Sequence, residues 1–151
     1  MEIGRVGIHE KGEVTLQDLI TLARNSPETR RAGAIATFTG IVRGYTHEGK
    51  EVEGLYLEAY REEAERALER ISEDLRARPG VVDVLIHHMI GEFSVGEDIV
   101  YVVVSGVSRK DVFPTLIEAV ERYKREAAIW KKEHLKDGEA YWVSEREDEG
   151  R

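Results

Sequence analysis

Apolar residues recur along this chain with two periods, 3.6 and 2, and the switches between them mark the elements. Leu16, Leu19, Ile20 and Ala23 share one side of a helical repeat. Thr15 precedes them with an acid, Asp18, three residues on, and Asn25-Ser26-Pro27 follows, which predicts a helix between a side-chain cap and a stop. Ala32 to Val42 is small and β-branched and ends at Arg43-Gly44, a strand running into a loop. Tyr45 to Lys50 is polar and contains Gly, and reads as a mobile loop. Val52 to Tyr60 alternates, with Leu55, Leu57 and Ala59 on one face of a strand. Arg61 to Arg78 is the clearest helix: Ala64, Ala67, Leu68, Ile71 and Leu75 form one stripe, and Pro79-Gly80 ends it. Val81 to Ile90 is a strand, Gly91 to Gly96 a tight link, and Asp98 to Val107 a strand whose unbroken apolar run predicts a central place. Lys110 or Asp111 opens a second long helix to about Trp130, with Phe113, Leu116, Ile117, Val120 and Ala127 as its apolar face. Ala140 to Ser144 reads as a last short strand. Helices and strands intermix without strict alternation, which predicts an α+β fold with a mixed or antiparallel sheet and two long helices.

Composition narrows the functions. At 151 residues the chain has the size of one domain, 1–151, with the charged end 145–151 expected to fray. The absence of Cys excludes disulfides, thiol nucleophiles and cysteine-ligated metals on this chain. A net charge of −8 argues against a general nucleic-acid binder. No stretch approaches a membrane span, and the first residues carry no signal core, so the expected location is cytoplasmic with no membrane partner. The five His show no ligand spacing, and no metal is expected. His87 and His88 are neighbours on a strand and face opposite ways; His88 reads as structural or interfacial.

Candidate chemistry sits in the last third of the chain. Lys124 falls on the apolar side of the long helix, and Lys131, seven residues on, returns to within roughly 20° of it if the helix persists. A lysine on a core face is costly unless it has a task, and burial would make it a candidate base or nucleophile. The plain alternative is that both lysines complement a helix C-terminus and extend their stems to water. Arg122, Lys124, Arg125, Lys131 and Lys132 make a basic island in an acidic chain. Arg43 and Arg109, each after a strand end, are candidate phosphate or carboxylate clamps, with ordinary surface arginines as the alternative. These residues alone leave open a group-transfer enzyme, a non-enzymatic binder of phosphorylated ligands, and a lysine Schiff-base enzyme.

One resemblance orders them. Gly33-Ala34-Ile35-Ala36-Thr37-Phe38-Thr39-Gly40-Ile41-Val42-Arg43, Leu57-Glu58-Ala59-Tyr60, His88-Met89-Ile90-Gly91-Glu92 and Tyr123-Lys124 through Ile129-Trp130-Lys131-Lys132-Glu133 resemble, in order, segments of the large catalytic subunit of molybdopterin synthase, the MoaE family. Trp142-Val143 with Arg146 is similar to that family's C-terminal segment. The resemblance implies an α/β-hammerhead-like fold. It implies sulfur transfer from a small ubiquitin-like partner, thiocarboxylated on its C-terminal Gly-Gly, to cyclic pyranopterin monophosphate, forming the molybdopterin dithiolene. It also implies a homodimer within a heterotetramer, with no cofactor. On the same ground Lys124 and Lys131 fall on the catalytic lysines, and Arg43, Arg109, Lys132 and Arg146 on substrate-binding positions. Ser108 stands at a substrate-contact position where the family often has His, and Ala128 where it has Pro.

Overall fold

In a computed structural model of the chain, residues 2–144 are described. The elements are β1 (Val6–Glu10), α1 (Leu16–Asn25), a 3-10 turn (Pro27–Arg31), β2 (Ala34–Ile41), β3 (Val52–Ala59), α2 (Arg61–Arg76), β4 (Val81–Ser94), β5 (Asp98–Gly106), α3 (Arg109–Glu126), β6 (Ile129–Leu135) and β7 (Ala140–Ser144). The α+β class and the mixed sheet read from the sequence stand. The strands form one sheet in the order β2-β5-β4-β3-β6-β7, with β1 parallel alongside β4 and the other pairings antiparallel.

β4 is the spine of this sheet. Its first part pairs with β5 and β1, and Gly91–Ser94 pairs with β3. The change of partner falls at Gly91, whose φ of +115° is a conformation that only glycine adopts without strain. The predicted link at residues 91–96 is therefore mostly strand; β4 continues to Ser94 and turns at Val95-Gly96, where Glu97 N–H donates to the Ser94 carbonyl at 3.1 Å.

Val84–Met89 of β4 and Val100–Gly106 of β5 are buried at every position, which requires cover on both faces. Tyr123 of α3 meets His88 on one face, while Leu22 and Asn25 of α1 line a small cavity with Asp83 and Leu85 of the other. α2 packs beside α3, burying the stripe its sequence predicts, and Ser72 in that stripe donates to the Val84 carbonyl at 2.7 Å.

Three expectations are corrected. The second long helix stops at Glu126 because Ala127 is extended (φ −79°, ψ 137°), and residues 129–135 form β6 against β3 instead. The alternation of β6 was hidden because its inward positions include two charged residues, Lys131 and Glu133. Second, the buried line of α3 is Val112, Thr115, Ala119 and Tyr123, whereas Phe113 and Ile117 are 57% and 61% exposed. Small residues, not the largest apolar ones, let this helix lie close to the sheet. Third, β1 and the 3-10 turn add to the predicted order; β1 offers only Val6 and Ile8 as apolar signal in five residues.

Candidate functional site

A cleft of about 530 Å³ opens where the end of β2, the start of β5, β3, β6 and the last turn of α3 converge. Its apolar floor includes Phe38, Val52, Leu55 and Val100, and its charged groups are Arg43, Lys124, Lys131 and Glu133, with His47 at the edge. The helical wheel brought Lys124 and Lys131 together on one helix; the fold brings them together from two elements.

Each cation is placed by its own backbone. Lys124 lies in the final turn of α3, at the negative end of the helix dipole. The edge of the His88 ring packs under Tyr123, centroids 5.7 Å apart, and His88 Nδ1–H donates to the Met89 carbonyl at 2.8 Å, so the residue preceding Lys124 rests on a buried support. Lys131 sits one pleat into β6 and alternation turns it inward, leaving it 7% exposed. Arg43 leaves the end of β2 at the base of the loop 44–51. That loop is closed by Val52 N–H to the Gly44 carbonyl at 2.9 Å and Thr46 N–H to the Lys50 carbonyl at 2.8 Å. Arg43 Nη1 donates to His47 Nε2 at 2.9 Å, which assigns the His47 proton to Nδ1.

The other sequence candidates lie elsewhere in the chain. Ser108 caps α3: its hydroxyl accepts from Lys110 N–H at 3.3 Å, and Asp111 accepts from Ser108 N–H at 3.1 Å. Arg109, the next residue, is exposed in the first turn, about 22 Å along the helix axis from Lys124. Lys132 takes the outer face of β6, its Nζ 5.7 Å from the centre of the Trp142 ring. Arg146 lies outside the described residues. Among the described residues no three His, Asp or Glu side chains converge to hold a metal. Sequence reasoning passed over Glu133 and His47 as site residues. The signal for Glu133 was its spacing of two from Lys131, legible only once the segment is known to be a strand.

Such a cleft can draw in an anionic ligand, hold its phosphate by Arg43, and place two ammonium groups where charge develops during transfer. Fold and site thus define an α+β protein with a cationic cleft for an anionic substrate. The family model described as MoaE protein matches residues 8–126. The chain is 43% identical over 134 residues to a probable molybdopterin synthase of Haloferax volcanii, covering 88% of this chain and 51% of that protein, so it spans about half of that relative's length. It is 36% identical over 140 residues to the molybdopterin synthase catalytic subunit of Pyrococcus abyssi, covering 92% of this chain and 90% of that one. Among solved structures, the crystal structure of molybdopterin synthase from Staphylococcus aureus superposes with a TM-score of 0.82 at 31% identity, over 94% of this chain and 98% of that one. The chain belongs to the MoaE family. Among its described residues no helix is long and apolar enough to cross a membrane.

Proposed function

We infer that the chain is the catalytic subunit of a molybdopterin synthase. It transfers sulfur from the thiocarboxylated C-terminus of a small ubiquitin-like partner to cyclic pyranopterin monophosphate, giving the dithiolene. The observation that carries this reading is the meeting of Lys124, Lys131 and Arg43 in one cleft of a chain with this family membership. Arg43 holds the substrate phosphate with paired N–H donors. Lys131, the more buried lysine, faces the incoming thiocarboxylate and stabilises charge on its acyl group as the sulfur bonds to the pterin side chain and water replaces it on the acyl carbon, leaving the partner's C-terminus as a carboxylate. Lys124 assists phosphate-ring opening or proton transfer. Each sulfurated carbon needs its own thiocarboxylate. The catalytic domain acts in the cytoplasm, as a homodimer flanked by two small subunits. Ser108, Arg109 and Arg146 complete substrate binding, Ser108 and Arg109, far along α3 from Lys124, serving the cleft of a second copy; Lys132, on the outer face of β6, does not line this cleft.

The test is to incubate the chain with a thiocarboxylated partner and the cyclic pterin and to measure dithiolene product. Lys131→Ala is expected to abolish product while the far-ultraviolet dichroism and melting transition are kept. Full activity in that variant excludes the assigned role. Borohydride treatment during turnover is expected to trap no substrate adduct, whereas a trapped adduct on Lys124 or Lys131 supports Schiff-base chemistry instead.

A further inference from the structure

A second cavity, of about 310 Å³, lies between the residues before β1, the end of α1 and the start of β4. It sits on the face of β4 that carries Asp83 and Leu85; the cleft lies on the other face, where His88 meets Tyr123. Its apolar walls are Ile3, Leu22, Pro27 and Leu85, and two charged groups, Arg5 and Asp83, enter it. Asp83 is 5% exposed. Its Oδ1 takes both of its hydrogen bonds, from Arg5 Nε at 2.8 Å and from Val84 N–H at 2.9 Å. Its Oδ2 accepts from no described residue, and the two Nη groups of Arg5 donate to none. Ser105 pairs with Asp83 across β4 and β5, which puts its side chain on the same face. It is 1% exposed, and its hydroxyl has no hydrogen-bond partner among the described residues. Buried polar groups short of partners carry a cost that a ligand can offset.

A lone anion entering this cavity meets the Asp83 carboxylate, and a lone cation meets the Arg5 guanidinium. Each charge repels what the other attracts. A ligand with both charges on neighbouring atoms satisfies both. We propose that this cavity is a binding site for a free apolar α-amino acid. The ligand carboxylate accepts from the Nη groups of Arg5, and its ammonium donates to Asp83 Oδ2. The ammonium has three protons, and the Ser105 hydroxyl beside Asp83 offers a second acceptor. The ligand side chain lies against Leu22, Pro27 and Leu85. The contact between Arg5 Nε and Asp83 Oδ1 stays in place, so the site needs no rearrangement of the fold.

The test is a titration of the full chain with L-leucine and with L-phenylalanine, followed by proton–nitrogen NMR. Dissociation constants at or below about 1 mM are expected, with the largest shifts at the amides of Leu22, Asn25 and Leu85. The analogues 4-methylpentanoate, which lacks the ammonium, and 3-methylbutylamine, which lacks the carboxylate, are expected to bind at least about 10-fold more weakly than L-leucine. This series needs wild type alone and so decides the matter whatever a variant does to folding. Arg5→Gln changes a half-exposed position, and Asp83→Asn keeps side-chain shape and an acceptor for Val84 N–H. Each is expected to lose about 10-fold in affinity for L-leucine, with thermal melting confirming the folded state. No shift with either amino acid overturns the site. So does equal affinity for 4-methylpentanoate, which leaves an anion site on Arg5 alone, or for 3-methylbutylamine, which leaves a cation site on Asp83 alone. Affinity unchanged in both folded variants overturns the location.

Discussion

Lys131 is inward-facing because β6 alternates, and its neighbour Lys132 is turned away for the same reason. Adjacent lysines thus enter different environments, one a cleft lined by apolar side chains, the other the ring of Trp142. Arg43 differs from both: it is exposed at a strand end and held by His47, a partner that a phosphate can replace. Truncating it removes paired charge-assisted hydrogen bonds from an otherwise intact cleft. Arg43→Ala should weaken binding of the cyclic pterin by about 10- to 100-fold, measured by calorimetry, with little change in melting temperature. Unchanged affinity excludes Arg43 as the phosphate clamp. Lys124 and Arg43 stood out locally, as a cation beside an apolar stripe and a cation at a strand end beside Gly, whereas Lys131 was singled out on a helical period that the chain does not keep, since it lies in β6. Glu133 and His47 were not legible. An acid within a basic island looks like its counter-charge, and a histidine on a polar loop looks solvated, until pairing places both at the cleft.

At the level of elements, α1, α2 and strands β2 to β5 were readable because their stripes and stops agree. The end of α3 and the existence of β6 were not, since nothing local separates a helical continuation from an extended strand with charged inward positions. The start of α3 depends on a single glycine. Gly80 has φ +84°, and a Cβ there would lie 2.3 Å from an Asp111 carboxylate oxygen, the group that accepts from Ser108 N–H. Gly80→Ala therefore incurs left-handed backbone strain and displaces half of the capping box of α3. A loss of about 2–3 kcal/mol in urea unfolding is expected. Because α3 carries Lys124 at its far end and Ser108 and Arg109 at its start, activity should fall at least as far as the folded fraction falls.

The molecule as a whole is held at its N-terminal edge by β1, whose parallel pairing with β4 is supported by two histidines. The His87 ring donates from Nε2 to the Gly4 carbonyl at 2.9 Å, so its Nδ1 accepts from His9 Nε2–H at 2.7 Å. The two rings stack with centroids 5.0 Å apart. Protonating His87 would place a hydrogen on Nδ1 facing that donor, on a ring that is itself fully buried. Burial first, and the neighbouring His9 second, push the His87 pKa down from 6.5 to about 4; burial lowers that of His9 as well. The unfolded chain therefore binds protons that the folded chain refuses. The stability contributed by neutral His87 is fully present above about pH 6.5 and is lost as pH falls toward about 4, an effect of at most about 3 kcal/mol. His87→Gln offers a donor to Gly4 and an acceptor to His9 with no group to titrate. Urea unfolding followed between pH 7.5 and pH 4 should show the wild-type free energy falling more steeply than that of the variant, with the two curves converging at the acid end. Parallel curves would assign the acid sensitivity to the surface carboxylates and remove the His9–His87 pair as the element that ties β1 to the sheet at neutral pH.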